Sequence, residues 1–346
     1  MKRFFKVVEK DSDGSVKKPR ENDSDAEANE MKEPLKFMTW NANSFLLRVK
    51  NNWPEFTNLI TTFDPHVIAI REVRMPAAGA KGASKIQGEI KDDTSAAREE
   101  KKSEFCRFCY ERIFKNQADL DCGLKKDLMR ALSAPPFRNY HVWWSLADSK
   151  YAGTAVLVKK CFKPKSVVFN LDKLASKYEP DGRVILVEFE TLHLLNTYVP
   201  NNGWKEEANS FQSRRKWDKR ILEFVTQSSD KPLIWCGDLN VRGKLVDAYR
   251  FLHEDKDMER GFSWSGNPVG RYRGKRMRID YFLVSETLKE RIVACEMHGH
   301  GIELEGFYGS DHCPVTLELS PSSNSQNEDP FVTKPLSYFF SLLSGC

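Results

Sequence analysis

A long apolar stretch is missing from the amino terminus, where MKRFFKVVEKDSDGSVKKPREND soon turns acidic. That argues against a cleaved secretory signal or a membrane anchor and, because of the acids, against an organellar transit peptide. Regular cysteine spacing is missing too. Eight cysteines scattered over 346 residues point to a reducing compartment rather than a disulfide framework. Cys106, Cys109 and Cys122 with His141 suggest zinc, but the second half of a paired-cysteine motif is absent. Apolar Phe105, Phe108, Ile113 and Phe114 surround the first half, so plain helix packing is the stronger reading. An excess of one charge is also wanting. With 54 basic and 49 acidic residues the net charge is +5, which permits nucleic acid as a partner without demanding it.

What is present is a composition of 40% hydrophobic residues, enough to bury a large core. Residues 1–33 hold almost no large apolar side chain after Val8 and are expected to form a disordered charged tail. Within it Lys17-Lys18-Pro19-Arg20 reads either as a weak nuclear-import patch or as a solvated charge cluster. Residues 34–320 form the folded domain, interrupted at 77–136 by an insertion expected to be a mobile loop followed by one or two short helices. A second polar tail follows over 321–346.

Inside the domain, LKFMTW reads as a strand, and Trp53, Phe56, Ile60 and Phe63 follow at helical spacing with Pro54 near the helix start. HVIAI is a continuously apolar strand. TAVLV, RVILVEFE, LHLLNTYVP, PLIWCG, IDYFLV and CPVTLEL read as further strands, the second and third of them as a hairpin. Helices are expected at about Glu206–Val225 and Val246–Leu252. Strands outnumber helices and several look antiparallel, so two sheets packed face to face with helices outside fit better than a doubly wound sheet.

Five short segments lie at or near strand ends: WNANS, IREVR, YVPNNG, CGDLNV and GSDHCP. They carry Asn41, Asn43, Glu72, Tyr198, Asn201, Asp238, Asn240, Asp311 and His312, to which IDYFLV adds Asp280. A packed sheet can hold such side chains at one rim. A hard cation such as magnesium needs oxygen ligands and only one or two carboxylates besides substrate phosphate. Glu72 is the best ligand candidate, with Asp311 and Asn43 beside it. Asp238 suits a general base for an attacking water, and Asn240 suits fixing that water and the phosphate. His312 can donate to a phosphate oxygen if a carboxylate orients it. Asp280 is the natural partner, because its strand is expected to pair near CPVTLEL. Tyr198 and Asn201 bracket a turn and can contact phosphate. Each residue alone has a bland alternative, a surface acid, an Asx turn or a packed tyrosine; their agreement favours chemistry.

Together with YAG, DGRV, RRKWD and IDYFLVS, these segments resemble the endonuclease/exonuclease/phosphatase superfamily, specifically a plant-like member of the exonuclease III type of apurinic/apyrimidinic endonuclease. The resemblance runs from about Leu35 to Leu319. It implies an α/β fold of four layers, two mixed β-sheets packed face to face and flanked by helices. It also implies Mg2+ dependence, with Mn2+ as a substitute, and hydrolysis of the phosphodiester 5′ to an abasic site in base excision repair. The 3′-phosphodiesterase, 3′-phosphatase and 3′–5′ exonuclease activities would come from the same site. On this resemblance Glu72, Asn43, Asp311, Asp238 and Asn240 surround the metal, and Tyr198, Asn201, Asp238, Asn240, Asp280 and His312 are catalytic. Asn41, Arg74, Tyr151, Arg183, Trp204, Asp218, Trp264, Arg271, Arg273, Lys275 and Met277 line the site or meet DNA.

Arg71 and Arg74 replace the usual glutamine and lysine and are expected to favour phosphate. Ser263, Met277 and Ile279 stand where the wall of the abasic-sugar pocket would be. The expected partner is double-stranded DNA with abasic or 3′-blocked sites, engaged by a monomer that needs no membrane. Repair proteins would be met through the amino-terminal tail, and the location is nuclear, with an organelle left open. The competing readings are a phosphoinositide phosphatase, a sphingomyelinase-like enzyme, an RNA deadenylase, or a non-catalytic DNA-binding protein.

Overall fold

The computed structural model describes residues 33–75, 122–146, 152–171, 182–200, 210–227, 231–238, 245–253, 261–266, 269, 272–300 and 304–322. The expectations for residues 1–32 and 323–346, and for the insertion before residue 122, fall outside these residues; Glu33 is held by Arg291.

Side-chain alternation decides the architecture. In β1 (Lys36–Asn41) Phe37 packs with one apolar cluster while Met38 and Trp40 pack with another. In β2 (Val67–Arg71) Val67 and Ala69 join the first cluster, and Ile68 and Ile70 join the second. Strands buried on both faces must be covered on both. One side of this sheet meets Ile185, Val187, Ile234 and Phe282 of the other sheet. The opposite side meets Phe45, Phe56, Ile60 and Leu128 from α1 (Phe45–Asn51), α2 (Trp53–Phe63) and α3 (Cys122–Ser133). On the far side of the second sheet, α4 (Ser210–Gln227) packs Trp217, Ile221 and Phe224 on Leu186, Leu195 and Trp235. Helix, sheet, sheet and helix make four layers, as expected.

The first sheet runs β13 (Ile292–Met297), β14 (Val315–Leu319), β1, β2, β4 (Thr154–Lys159), β3 (Tyr140–Ser145). The second runs β5 (Ser166–Val168), β6 (Val184–Glu188), β7 (His193–Tyr198), β8 (Leu233–Asp238), β12 (Asp280–Ser285), β9 (Leu245–Asp247). Each has one parallel pair near its centre, β1/β2 and β7/β8, with antiparallel neighbours. The β6/β7 hairpin is present as expected. β10 (Trp264–Ser265) and β11 (Arg276–Met277) form a small separate hairpin.

Aromatic stacking ties α2 to β1 and to the turn that precedes β3: the Trp40–Phe56 and Trp53–Phe137 ring centroids are both 4.5 Å apart. Phe56 is fully buried, and truncating such a residue to alanine costs roughly 3–5 kcal/mol. Pro54 sits in the first turn of α2, where its missing N–H is no loss. Leu128 and Ala131 carry α3, the end of the expected insertion, into the outer core.

One expectation is corrected. The strand that opens at Asp280 does not pair beside CPVTLEL; β12 and β14 belong to different sheets and meet across the sandwich. Apolar alternation shows that a strand is buried on both faces but not which sheet it joins. The helix expected near Val246–Leu252 is present as α5 (Ala248–His253), its start set back by strand β9 over Leu245–Asp247. Register pairing of Leu245 and Val246 with Ser285 and Val284 overrides their place in a helical pattern.

Candidate functional site

The four parallel strands end at Asn41, Arg71, Tyr198 and Asp238, and Asp280 is in register opposite Asp238. Their carboxyl ends share one rim, which is where open α/β sheets leave a crevice. The chain must leave these strands sharply. Asn43, Ser44, Glu72 and Arg74 have φ of 43°, 81°, 50° and 54°, a region that costs a non-glycine residue about 1 kcal/mol or more. Backbone bonds hold them there: Ser44 N donates to Glu72 O at 2.9 Å, and Arg74 N to Ala152 O at 2.9 Å. Gly237, with φ of 152°, is required before Asp238, because a Cβ there would lie 2.3 Å from the Thr197 carbonyl oxygen.

One hydrogen-bonded network joins the rim. Glu72 Oε1 accepts from Tyr198 Oη at 2.9 Å and from Asn41 Nδ2 at 3.0 Å, and Arg74 Nε donates to Oε2 at 2.9 Å. Asn41 Nδ2 also lies 3.4 Å from His312 Nε2, and His312 Nδ1 is 2.7 Å from Asp280 Oδ2. A tautomer with its hydrogen on Nδ1 satisfies both contacts of the ring. Asp280 is fully buried. Burial works to raise its carboxyl, and the adjoining His312 imidazole and then the Arg71 guanidinium outweigh it, so the group lies below its ordinary value.

Asp311 accepts from Asn43 Nδ2 at 2.9 Å and from Trp264 Nε1 at 3.1 Å, while Asn43 N donates to Asn41 Oδ1 at 3.1 Å. Glu72, Asn41, Asn43, Tyr198, Asp280, Asp311, His312 and Trp264 are thus brought together, although they come from widely separated segments.

The remaining candidates fall into three groups. Asp238 is described as backbone at the end of β8. Tyr151, Asn201, Trp204, Asn240 and Arg271 lie outside the described residues. Arg183 is buried, with Nη1 donating to Tyr198 O at 3.1 Å and its guanidinium 4.9 Å from the centre of the Tyr198 ring. Asp218 holds Arg214 Nε at 2.7 Å, and Arg214 Nη1 donates to Pro200 O at 3.2 Å. On the β10–β11 hairpin Arg273, Lys275 and Met277 are exposed, Met277 in register opposite Trp264.

Two site expectations are corrected. Arg71 does not face phosphate; it is fully buried and paired with Asp280. Ser263 is no pocket wall; it is fully buried, and its Oγ accepts from the backbone amides of Ile279 at 3.1 Å and Asp280 at 2.9 Å.

Several contributors were not singled out from the sequence. Ser310 Oγ donates to Asn41 O at 2.7 Å and accepts from His312 N at 3.2 Å; Trp40 Nε1 donates to His312 O at 3.0 Å. Ser310 and Trp40 stand inside the GSDHCP and WNANS segments, so proximity in sequence was the available signal. Arg48 is buried near Asp311: burial lowers its guanidinium from the ordinary value, and the Asp311 charge opposes that. No pattern in the sequence marks it.

The donor set suits a hard cation. Glu72 and Asp311 offer carboxylates, Asn41 and Asn43 amide oxygens, and magnesium asks for no more from protein before substrate binds. Zinc would ask for a denser set. Among the described residues no three His, Cys, Asp or Glu side chains are arranged as a ready-made metal-ligand cluster; Cys106 and Cys109 lie outside them.

Fold and rim together define a two-sheet α/β sandwich carrying an acid, amide and imidazole site for phosphate chemistry. The chain belongs to the Endonuclease/Exonuclease/phosphatase family, whose sequence pattern matches residues 38–312. It is 56% identical over 384 aligned positions to a DNA-(apurinic or apyrimidinic site) endonuclease of Arabidopsis thaliana, with 95% of this chain and 99% of that protein covered. It is 32% identical to an exodeoxyribonuclease of Bacillus subtilis, covering 53% of this chain and 80% of that one. Among solved structures, an AP endonuclease from Archaeoglobus fulgidus aligns with TM-score 0.54 at 20% identity, covering 83% of this chain and 100% of the other. Metal dependence is general in such endonucleases.

Proposed function

We propose that the protein hydrolyses the DNA phosphodiester on the 5′ side of an abasic site, with Mg2+ as its metal and Mn2+ as a substitute. One observation carries the reading. Glu72, Asn41, Tyr198, His312 and Asp280, drawn from both sheets, form a single bonded network at one rim in a chain 56% identical to a DNA-(apurinic or apyrimidinic site) endonuclease.

Glu72, Asp311 and Asn43, with Asp238 and Asn240, would hold the metal. When bound, it supplies Lewis-acid polarisation of the phosphate and neutralises charge that develops on its oxygens. Asp238 accepts the proton of the attacking water, which Asn240 orients. Tyr198 and Asn201 position the phosphate oxygens. Asp280 holds His312 so that the Nε2 side of the ring serves the same phosphate. Arg183 and Asp218 act behind these groups, the first by packing on Tyr198 and the second by setting Arg214. Arg273 and Lys275, with Trp264, Trp204 and Met277, offer charge and stacking surface for a duplex.

The same site acting on 3′ termini accounts for 3′-phosphodiesterase, 3′-phosphatase and 3′–5′ exonuclease activities. The protein works as a monomer in the nucleus, a reading supported by the Lys17–Arg20 patch, and meets repair proteins through residues 1–33.

The test is a rate comparison with magnesium on duplexes carrying an abasic analogue, a 3′-phosphate, a recessed normal end or an intact strand. The abasic duplex is expected to be cut fastest and only with metal present. Equal cutting of the intact strand, or none of any duplex, would reject the reading.

A further inference from the structure

Arg71 is the last residue of β2 and the largest fully buried charged side chain in the domain's described part. Nη1 donates to Thr39 Oγ1, and Nη2 crosses the sandwich to donate to Asp280 Oδ1. Asp280, equally buried, opens β12 in the facing sheet. Its other oxygen, Oδ2, lies 2.7 Å from His312 Nδ1, and its own amide is fastened to Ser263 Oγ at 2.9 Å. One carboxylate is therefore divided between a guanidinium inside the core and an imidazole at the rim.

As a clamp between sheets this is a poor arrangement. Two charges are taken wholly out of water, where a well-packed apolar pair of similar volume is often at least as stable. Among the described residues no group meets the guanidinium Nε. What the arrangement does achieve is orientation. A carboxylate bonded on one oxygen alone can swing about its Cβ–Cγ bond. A second bond to the other oxygen, from a planar guanidinium that is itself tied to Thr39, fixes the plane.

The geometry points to Arg71 as a positioning residue of the hydrolytic site, one that locks the Asp280 carboxylate from within the core and through it sets the ring of His312. This rests on the function proposed above. With Nδ1 committed to Asp280, the Nε2 edge is held toward Asn41, which also bonds Glu72. Arg71 touches no substrate and acts through a carboxylate that touches none.

The test uses the full chain, an abasic-analogue duplex and magnesium, with thermal unfolding recorded for each variant. Arg71→Gln, which keeps an amide donor and loses the charged fork, is expected to lower kcat about 10-fold to 100-fold with KM within about 2-fold. Arg71→Lys is expected to recover part of that loss. In an Asp280→Asn background the further change Arg71→Gln is expected to cost no more than about 2-fold, since groups acting as one unit are not additive. Should Arg71→Gln not fold, Arg71→Lys carries the comparison, with a fall in kcat when Asp280 is intact and none in the Asp280→Asn background. Wild-type kcat in folded Arg71→Gln, or equal losses in both backgrounds, would overturn the role. A wild-type protein that leaves the abasic duplex intact would instead reject the proposed activity.

Discussion

Tyr198, closing β7 in one sheet, donates through Oη to Oε1 of Glu72, which follows β2 in the other, at 2.9 Å. Both are buried, and Asn41 Nδ2 meets the same carboxylate oxygen at 3.0 Å. The carboxylate is thereby fixed by donors from both halves of the sandwich. Tyr198→Phe keeps the packing against Arg183 and removes that donor. A hydrogen bond to a charged group is worth about 1.5–3 kcal/mol, so kcat/KM on an abasic duplex is expected to fall roughly 10-fold to 150-fold. Single-turnover rates measure it, and an unchanged rate would dismiss the Tyr198–Glu72 bond as a working contact.

Glu72→Ala removes the carboxylate that Tyr198, Asn41 and Arg74 converge on. The magnesium concentration for half-maximal activity is expected to rise sharply, and a titration that coincides with the wild-type curve would take Glu72 out of the metal site.

Asp238→Asn is expected to lower turnover by roughly 100-fold to 10,000-fold, the usual contribution of a positioned base, while duplex affinity stays near that of the wild type. Binding measured without turnover separates the two, and near-normal turnover would end its assignment as base.

The hairpin charges are not equivalent. Arg273 and Lys275 are exposed, whereas Arg278 is bonded to Asp247 through Nη1 at 2.9 Å and Nη2 at 2.8 Å and packs on Tyr281. Neutralising Arg273 and Lys275 is expected to flatten the plot of log affinity against log salt by about one unit per lost phosphate contact. Arg278→Ala is expected to lower thermal stability instead. The same salt slope in the Arg273/Lys275 double variant would move the DNA path elsewhere.

A pH dependence follows from His66. Its Nδ1 accepts from Leu35 N at 2.9 Å, and its ring stacks on Phe162 at 4.4 Å. Burial is the main cause that lowers it from 6.5 to about 4, and Lys159 adds to the shift. The unfolded chain takes up this proton first as pH falls. The stabilisation is complete above about pH 6.5, declines between there and about 4, and falls no further from this group below that. Denaturant unfolding at pH 7 and pH 4.5 is expected to show a smaller difference for His66→Asn than for the wild type. Identical pH slopes in the two proteins would remove His66 as the cause.

The residues alone were enough for the strands, their ends and the acids and amides placed there. Apolar alternation in KFMTW and continuous burial in VIAIR are local properties, and short polar groups after such runs mark a rim. The spacing of Trp53, Phe56 and Ile60 was enough for α2. Arg71 shows where such reading stops. In sequence it adjoins Glu72 and looks like a phosphate contact; parity with Val67 and Ala69 turns it inward, and only the facing sheet supplies Asp280 to receive it. Ser263 likewise looked like a pocket wall until its hydroxyl was placed under the amides of Ile279 and Asp280. Periodicity reports whether a strand is buried. It carries no information on which sheet the strand joins or what stands opposite, because those are set by packing between segments hundreds of residues apart. The chemistry of this protein was therefore written in its strand ends, and the partners of its buried charges were decided by the sandwich.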